Sequence, residues 1–448
     1  MESSLIEKYN VPGPRYTSYP TVPHWDSKAF SIEKWDEAVN YAYWSSGREV
    51  SLYIHLPFCE SLCTYCACNT RITKNHAVEE RYIAAVLKEW ELRLTQIPDP
   101  VIIKDLHLGG GTPTFFSPEN IAKLINGITK HCLIANDAEF GFEGHPNNTT
   151  NEHLEVMYGL GFRRVSFGIQ DFDERVQKLI NRVQPFKNVQ YVTERARAIG
   201  YESVNFDLVY GLPGQTNESM GATMEQTIYL NPDRIALYGY AHVPGIKPAQ
   251  RSFEAQLPVA AERAEFYQFC KEVLTLADFH DIGMDHFART GDKLQTAAAD
   301  GTLHRNFMGY STQSTRLQIG LGVSAISDAW TAFSQNEKVL GQYYRRILNN
   351  EVPDFKGHLL DQKDLAIRQH ILNLMCRYET KWHEEELNLF GLDMNFELLE
   401  SLQNDRLINI DAHGLEISKE GRPFVRNICM AIDARLNNGG VKSFSKTV

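Results

Sequence analysis

Six strand-then-helix patterns between residues 51 and 276 predict an α/β chain built on an incomplete parallel (βα)6 barrel. The unusual residues of this stretch all fall at the carboxyl ends of their strands, as in parallel barrels, where several strands contribute to one site. A Pro- and aromatic-rich segment comes first, and after about residue 336 the pattern turns helical with one short hairpin. The predicted organisation is therefore an extended N-terminal arm (1–48), a barrel with its extension (49–335), and a mainly helical, winged-helix-like C-terminal domain (336–448).

In the arm, Pro12, Pro14 and Pro20 oppose regular helix or central strand, and the density of Tyr and Trp predicts packing against the main domain. The barrel strands are expected at 51–56, 104–108, 139–143, 164–170, 204–210 and 234–240. Helices are expected to follow them at 78–94, 118–131, 151–160, 173–180, 218–230 and 262–276. A cysteine loop follows the first strand and Gly109-Gly110-Gly111-Thr112-Pro113 the second. Glu143 ends the third and Gln170 the fourth, Asp207 lies late in the fifth, and Tyr240-Ala241-His242 end the sixth. A doubly wound sheet would gather its site at one switch point instead. In the last region, helices at 363–378, 383–390 and 395–403 precede strands at 407–410 and 415–418 and a final helix at 419–436.

Composition narrows the function classes. The 448 residues carry 45 Lys and Arg against 56 Asp and Glu, a net charge of −11. Nucleic acid and anionic membrane surfaces call for a basic face, so neither is an expected partner, and the winged-helix pattern reads as a lid or packing domain. An anionic small substrate remains open. No apolar run is long enough to span a bilayer, and no secretory leader is visible. Four of the eight cysteines are scattered (Cys132, Cys270, Cys376, Cys429) and read as small buried hydrophobes, so a reducing cytoplasm is expected. Nothing in the sequence suggests an obligate interface, so a monomer is expected.

The other four lie in Cys59-x3-Cys63-x2-Cys66-x-Cys68. Thiolates clustered on one loop suit an iron–sulfur cluster or zinc. Zinc sites usually draw two ligand pairs from separate stretches, so the spacing favours a cluster, and structural zinc on all four thiols is the alternative. Three thiolates leave the fourth iron of a cubane open to a small molecule, which is a catalytic arrangement.

Cys59, Cys63 and Cys66, with Tyr65 and the glycine run, resemble the radical S-adenosylmethionine (SAM) superfamily. That resemblance implies a 4Fe-4S cluster that reduces SAM to a 5′-deoxyadenosyl radical, with glycines that let backbone approach the methionine moiety. A closer resemblance covers nearly the whole chain: PRYTSYPT at 14–21, YIHLPFC at 53–59, YGLP at 210–213, YAH at 240–242, MDHFAR at 284–289, HRNF at 304–307 and GVSAIS at 322–327. These resemble the family of oxygen-independent coproporphyrinogen III oxidases, enzymes of heme biosynthesis. The resemblance implies oxidative decarboxylation of two propionates of coproporphyrinogen III to vinyl groups, giving protoporphyrinogen IX. It also implies an external electron donor and acceptor, which the sequence does not identify.

Residue by residue, the resemblance implies that Tyr53, Gly110, Glu143 and Ile326 hold one SAM. A second SAM is implied on Tyr65, Gly111, Thr112, Gln170, Arg182, Asp207 and Ala241. Cys68 is not assigned to the cluster. Together with the arm at residues 15–21 it favours the oxidase over related heme carriers. One departure stands out: Glu143-Gly144-His145-Pro146 replaces the frequent Glu-Val-Asp-Pro. A tetracarboxylate substrate calls for cations, and Arg15, Arg251, Arg289 and Arg305 are the expected contacts.

Overall fold

A computed structural model describes residues 3–439 and 444–447. Its centre is six parallel strands: β1 (Glu49–Leu56), β2 (Val101–Gly110), β3 (Cys132–Gly144), β4 (Arg164–Gln170), β5 (Ser203–Tyr210) and β6 (Arg234–Gly239). They neighbour one another in chain order. Right-handed crossovers with no reversal of order place every helix on one face, which curls the sheet into a partial barrel. Beyond β6 lies an antiparallel hairpin, β7 (Phe279–Gly283) and β8 (His286–Arg289), with β8 against β6. Beyond β1, β9 (Gln318–Leu321) adds in parallel. Antiparallel β10 (Ile326–Asp328), β11 (Ala332–Asn336) and β12 (Asp354–Leu359) complete that flank.

Local signals explain the joins. Ser117, Thr150, Asp173 and Thr216 each accept a hydrogen bond from the first turn of the helix they precede, satisfying donors that would otherwise be orphaned. Alternate strand residues such as Leu52, Ile54 and Leu56 are wholly buried under the helices, each contributing about 1.5–3 kcal/mol.

Four sequence expectations change. Half of the arm is helical: Ser3–Tyr9 and Ile32–Ser45 flank an extended middle. The second helix buries Trp35, Val39, Ala42 and Tyr43 on one stripe and is capped by Ser31, signals that the prolines upstream obscure. A further helix, Phe186–Ile199, stands between β4 and β5. The sheet runs past residue 336 to β12 at Leu359. The final helix is broken: a 3-10 turn at Arg422–Phe424 precedes helices Val425–Ile432 and Ala434–Gly439. Asp433 interrupts it in an extended conformation, accepting from the Leu436 N–H at 2.8 Å.

Beyond β12 stand helices Gln362–Arg377, Glu384–Phe390 and Phe396–Asn404 with a three-stranded antiparallel sheet. Their apolar core includes Tyr9, Tyr16 and Tyr19 of the arm, which is thus built into this region. The Tyr16 hydroxyl donates to the buried Asp433 carboxylate at 2.9 Å. Tyr16→Phe leaves that carboxylate short of a donor, and urea unfolding should register a loss of about 1–3 kcal/mol. No helix of the described residues is long and apolar enough to cross a membrane. Of the scattered cysteines, Cys270, Cys376 and Cys429 are buried and Cys132 is half-buried, all as free thiols.

Candidate active site

The inner face of the partial barrel is polar. Along β1 to β5, Tyr53, His55, Asp105, His107, Glu139, Glu143, Arg164, Ser166, Asn205 and Asp207 sit between the apolar residues that face the helices. Parallel strands are normally apolar on both faces, so this two-residue alternation marks a lumen built for polar contents. That signal lay in the sequence and is the part of the site that motif reading alone passes over.

The cysteine loop caps the carboxyl end of this lumen and is braced on three sides. Gly111 N–H donates to Leu56 O (2.8 Å) and Thr112 N–H to Phe58 O (3.0 Å), so the end of β2 zips to the start of the loop. Thr112 Oγ1 also donates to Cys59 Sγ (3.3 Å). On the second side, Thr64 N–H donates to Ile180 O (3.0 Å), Asn181 Nδ2 to Leu62 O (2.7 Å) and Arg182 Nη1 to Cys63 Sγ (3.5 Å). On the third, the wholly buried Gln250 gives Nε2 to both Tyr65 O (3.1 Å) and Ala241 O (3.2 Å), while Lys247 Nζ reaches Cys68 O (2.7 Å). Gln250 and Lys247 carry no motif and were invisible in the sequence.

These residues suit a cluster. Among the described residues no three His, Cys, Asp or Glu side chains converge closely enough to hold a single metal ion. Soft sulfur donors grouped on one braced loop suit a 4Fe-4S cluster, which takes each thiolate to a different iron. The thiols differ in environment. Burial pushes Cys59 up to about 11. The hydrogen bond from Cys68 lowers Cys66 to about 6, and the same bond pushes Cys68 well up.

Packing also requires glycine here. Gly110 has φ +116°, and a Cβ there would meet the His55 ring at 2.7 Å; one on Gly111 would meet the Pro57 backbone at 2.6 Å. On its other side, Gly110 N–H donates to Glu143 Oε2 of β3 (3.2 Å). Burial tends to raise the Glu143 carboxyl, but His107, 3.5 Å away, and the Gly110 N–H hold it below its ordinary value. Its side chain stays 43% exposed, open toward the lumen as a charged acceptor. Beside it, His55 Nε2 faces Asn69 O (2.9 Å) and therefore carries the proton, so Nδ1 accepts from the Tyr53 hydroxyl (3.1 Å). Burial lowers His55, which keeps the ring neutral.

Across the lumen, Asp207 accepts from Ser166 Oγ (2.9 Å) and Asn205 Nδ2 (2.9 Å). Burial, then the charge of Glu143, raises it to about 6. Gln170 ends β4 at φ 69°, beside a bulge, a conformation costing a non-glycine residue about 1–3 kcal/mol. Arg182 sits in the turn beyond the helix, with Nη2 on Gly168 O (2.6 Å) and a buried Nε that has no partner among the described residues. Ile326 opens β10 at the same end.

The four substrate arginines do not gather. Arg251 is exposed on the 3-10 helix Pro248–Gln256. Arg289 lies at the opposite end, its N–H on Asp233 O (3.0 Å) ahead of β6. Arg305 is buried beneath the arm, holding Tyr16 O (3.3 Å) and Arg15 O (3.4 Å). Arg15 is paired with Asp285 and lies 5.6 Å from the Tyr238 ring.

A cysteine-rich loop at the carboxyl mouth of a partial parallel barrel defines a cluster-bearing radical enzyme. Accordingly, the family profile of the radical SAM superfamily matches residues 53–227. The oxygen-independent coproporphyrinogen III oxidase of Pseudomonas aeruginosa is 38% identical, with 100% of this chain and 98% of that one covered. The corresponding oxidase of Helicobacter pylori (strain 26695) is 37% identical over 99% and 98%. The solved structure of coproporphyrinogen III oxidase from Escherichia coli, described as a radical SAM enzyme, aligns with a TM-score of 0.89 at 35% identity, covering 97% of this chain and 99% of that one. The chain belongs to the oxygen-independent coproporphyrinogen III oxidase family of the radical SAM superfamily.

Proposed function

We propose that the chain converts two propionate side chains of coproporphyrinogen III to vinyl groups, releasing CO2 and giving protoporphyrinogen IX, as an SAM-dependent oxidoreductase of heme biosynthesis. The observation that carries this reading is the loop of Cys59, Cys63 and Cys66, braced by Thr112 and Arg182 over a polar lumen. When bound, a 4Fe-4S cluster on these thiolates supplies one-electron cleavage of SAM to a hydrogen-abstracting radical. An external electron donor and an acceptor for the electron left after each decarboxylation complete the balance. Eight free thiols suit a reducing cytoplasm.

The protein's own part is to orient and to exclude water. Glu143, ionised and facing the lumen, suits the ammonium of a methionine moiety by a charge-assisted hydrogen bond. Tyr53, Gly110 and Ile326 complete that site. Arg182 suits a carboxylate and Asp207 ribose hydroxyls or a second ammonium, with Tyr65, Gly111, Thr112, Gln170 and Ala241 around them. Binding that uses ionised Asp207 is full above neutrality and declines as pH falls through about 6, the value set by burial and Glu143. Titration calorimetry of SAM against pH should show this step in the wild type and lose it in Asp207→Asn.

The test of the whole reading is anaerobic reconstitution with iron and sulfide, then assay with SAM, dithionite and coproporphyrinogen III. Release of 5′-deoxyadenosine, methionine and CO2 with protoporphyrinogen formation is the expected result. Stoichiometric heme binding without turnover, or bilin pigments from added heme, would replace it.

A further inference from the structure

A cleft of about 60 Å3 lies where the ends of β5 and β6, the β7–β8 turn and the C-terminal region meet. Its charge is lopsided. Six cations line it, Arg15, Arg263, Lys271, Arg422, Arg426 and Lys446, against two acids, Asp281 and Asp285. Lys271 pairs with Asp281 at 2.6 Å and Arg15 with Asp285. The other four form no salt bridge with a described residue. Arg426 is spent on backbone, giving its guanidinium to the carbonyls of Gly13, Pro14, Lys446 and Thr447 and so clasping the arm to the C-terminal tail. Burial, then the neighbouring Arg15, lower it to about 10.

Two guanidiniums keep capacity to spare. Arg263 gives Nη2 to Tyr240 O (3.0 Å), but its buried Nε has no partner among the described residues. Arg422 stacks on the Tyr378 ring at 4.4 Å, and its buried Nε is likewise unpartnered. A chain of net charge −11 that gathers such a surplus in one enclosed place is built to receive an anion there. The volume admits about four to five waters, which suits a short carboxylate side chain and excludes a macrocycle.

We propose that this cleft binds a carboxylate through Arg263 and Arg422, and that, on the activity proposed above, this is a propionate of the tetrapyrrole that the reaction leaves intact. Position favours that source. Arg15 forms a wall shared by cleft and lumen: it lines the cleft and stacks over Tyr238, which belongs to the inward-facing set of β6. A macrocycle over the lumen can therefore extend one arm past Arg15 while its reacting arms remain near the cysteine loop.

The test uses reconstituted full-length enzyme and the stable oxidised probe coproporphyrin III, titrated by quenching of protein fluorescence, with sodium succinate as the free-carboxylate probe. Arg263→Gln with Arg422→Gln should weaken coproporphyrin III about tenfold or more. The same double variant should raise KM for coproporphyrinogen III with kcat and the ratio of 5′-deoxyadenosine to CO2 unchanged. Arg263→Lys with Arg422→Lys should recover part of the affinity, and Arg345→Gln, an exposed site, should match the wild type. Coproporphyrin affinity unchanged within twofold in the double Gln variant overturns the proposal, as does succinate bound as tightly as coproporphyrin, which marks a free-anion site. Wild-type enzyme that binds coproporphyrin through these arginines yet fails to decarboxylate overturns the activity and leaves the cleft standing. Normal turnover with affinity indifferent to both arginines does the reverse.

Discussion

Cys66→Ser is expected to abolish both cluster assembly and turnover, while Cys68→Ser keeps its full iron. The two thiols are two residues apart and shift one another's titration, so proximity alone predicts similar losses. The difference proposed is one of role: Cys66 belongs to the Cys-x3-Cys-x2-Cys triad expected to hold the cluster, and Cys68 lies outside it. A serine at 66 offers a harder, far more basic oxygen to iron, and a three-ligand site does not survive loss of one thiolate. Activity should fall by about a thousandfold or more, a barrier change of about 4 kcal/mol. A serine at 68 still carries a donor. Iron and sulfide assay with the visible absorption of the reconstituted proteins decides the matter; loss of iron in Cys68→Ser would make it a ligand.

Arg93→Ala should be the costliest change away from the site. Its guanidinium is wholly buried and forks onto both oxygens of Asp354 at 2.6 Å, tying helix Val78–Leu94 to β12. Its Nη2 also reaches Asn336 Oδ1 (3.0 Å) on β11, and Asn336 in turn donates to Glu89 (2.7 Å) and to Gly322 O (2.8 Å). Truncation strands a buried carboxylate, a loss of about 3–5 kcal/mol. Guanidinium unfolding should show that loss, and Asp354→Asn with Arg93→Met should restore much of it by removing both charges. Because Gly322 opens the loop leading to Ile326, the single variant should also bind SAM more weakly.

Much of the site was legible before any folding. The spacing of Cys59, Cys63 and Cys66, the glycines at 109–111, and Glu143, Gln170 and Asp207 at strand ends are local patterns, and period-two and helical repeats mark the elements around them. The misreadings have the same origin. The helix at Ile32–Ser45 hid behind prolines that govern only their own stretch, and the final helix breaks at Asp433, whose carboxylate caps the Leu436 N–H within the apolar run. Motif membership said nothing of where the arginines would lie: the Arg289 backbone bonds Asp233 ahead of β6 and Arg305 holds the arm, positions set by long-range packing.

By itself, the sequence determined the order of strands and helices, the thiol-bearing loop and the residues at each strand end, because spacing, caps and φ preferences act between near neighbours in the chain. Only the tertiary structure decided that Gln250 binds the cysteine loop to the segment after the sixth strand, and that Arg15, Arg263 and Arg422 line one cleft. Those meetings join residues far apart in sequence, and they follow from how the strands pair laterally and how the C-terminal region docks. Long-range packing sets these, and no local pattern encodes them.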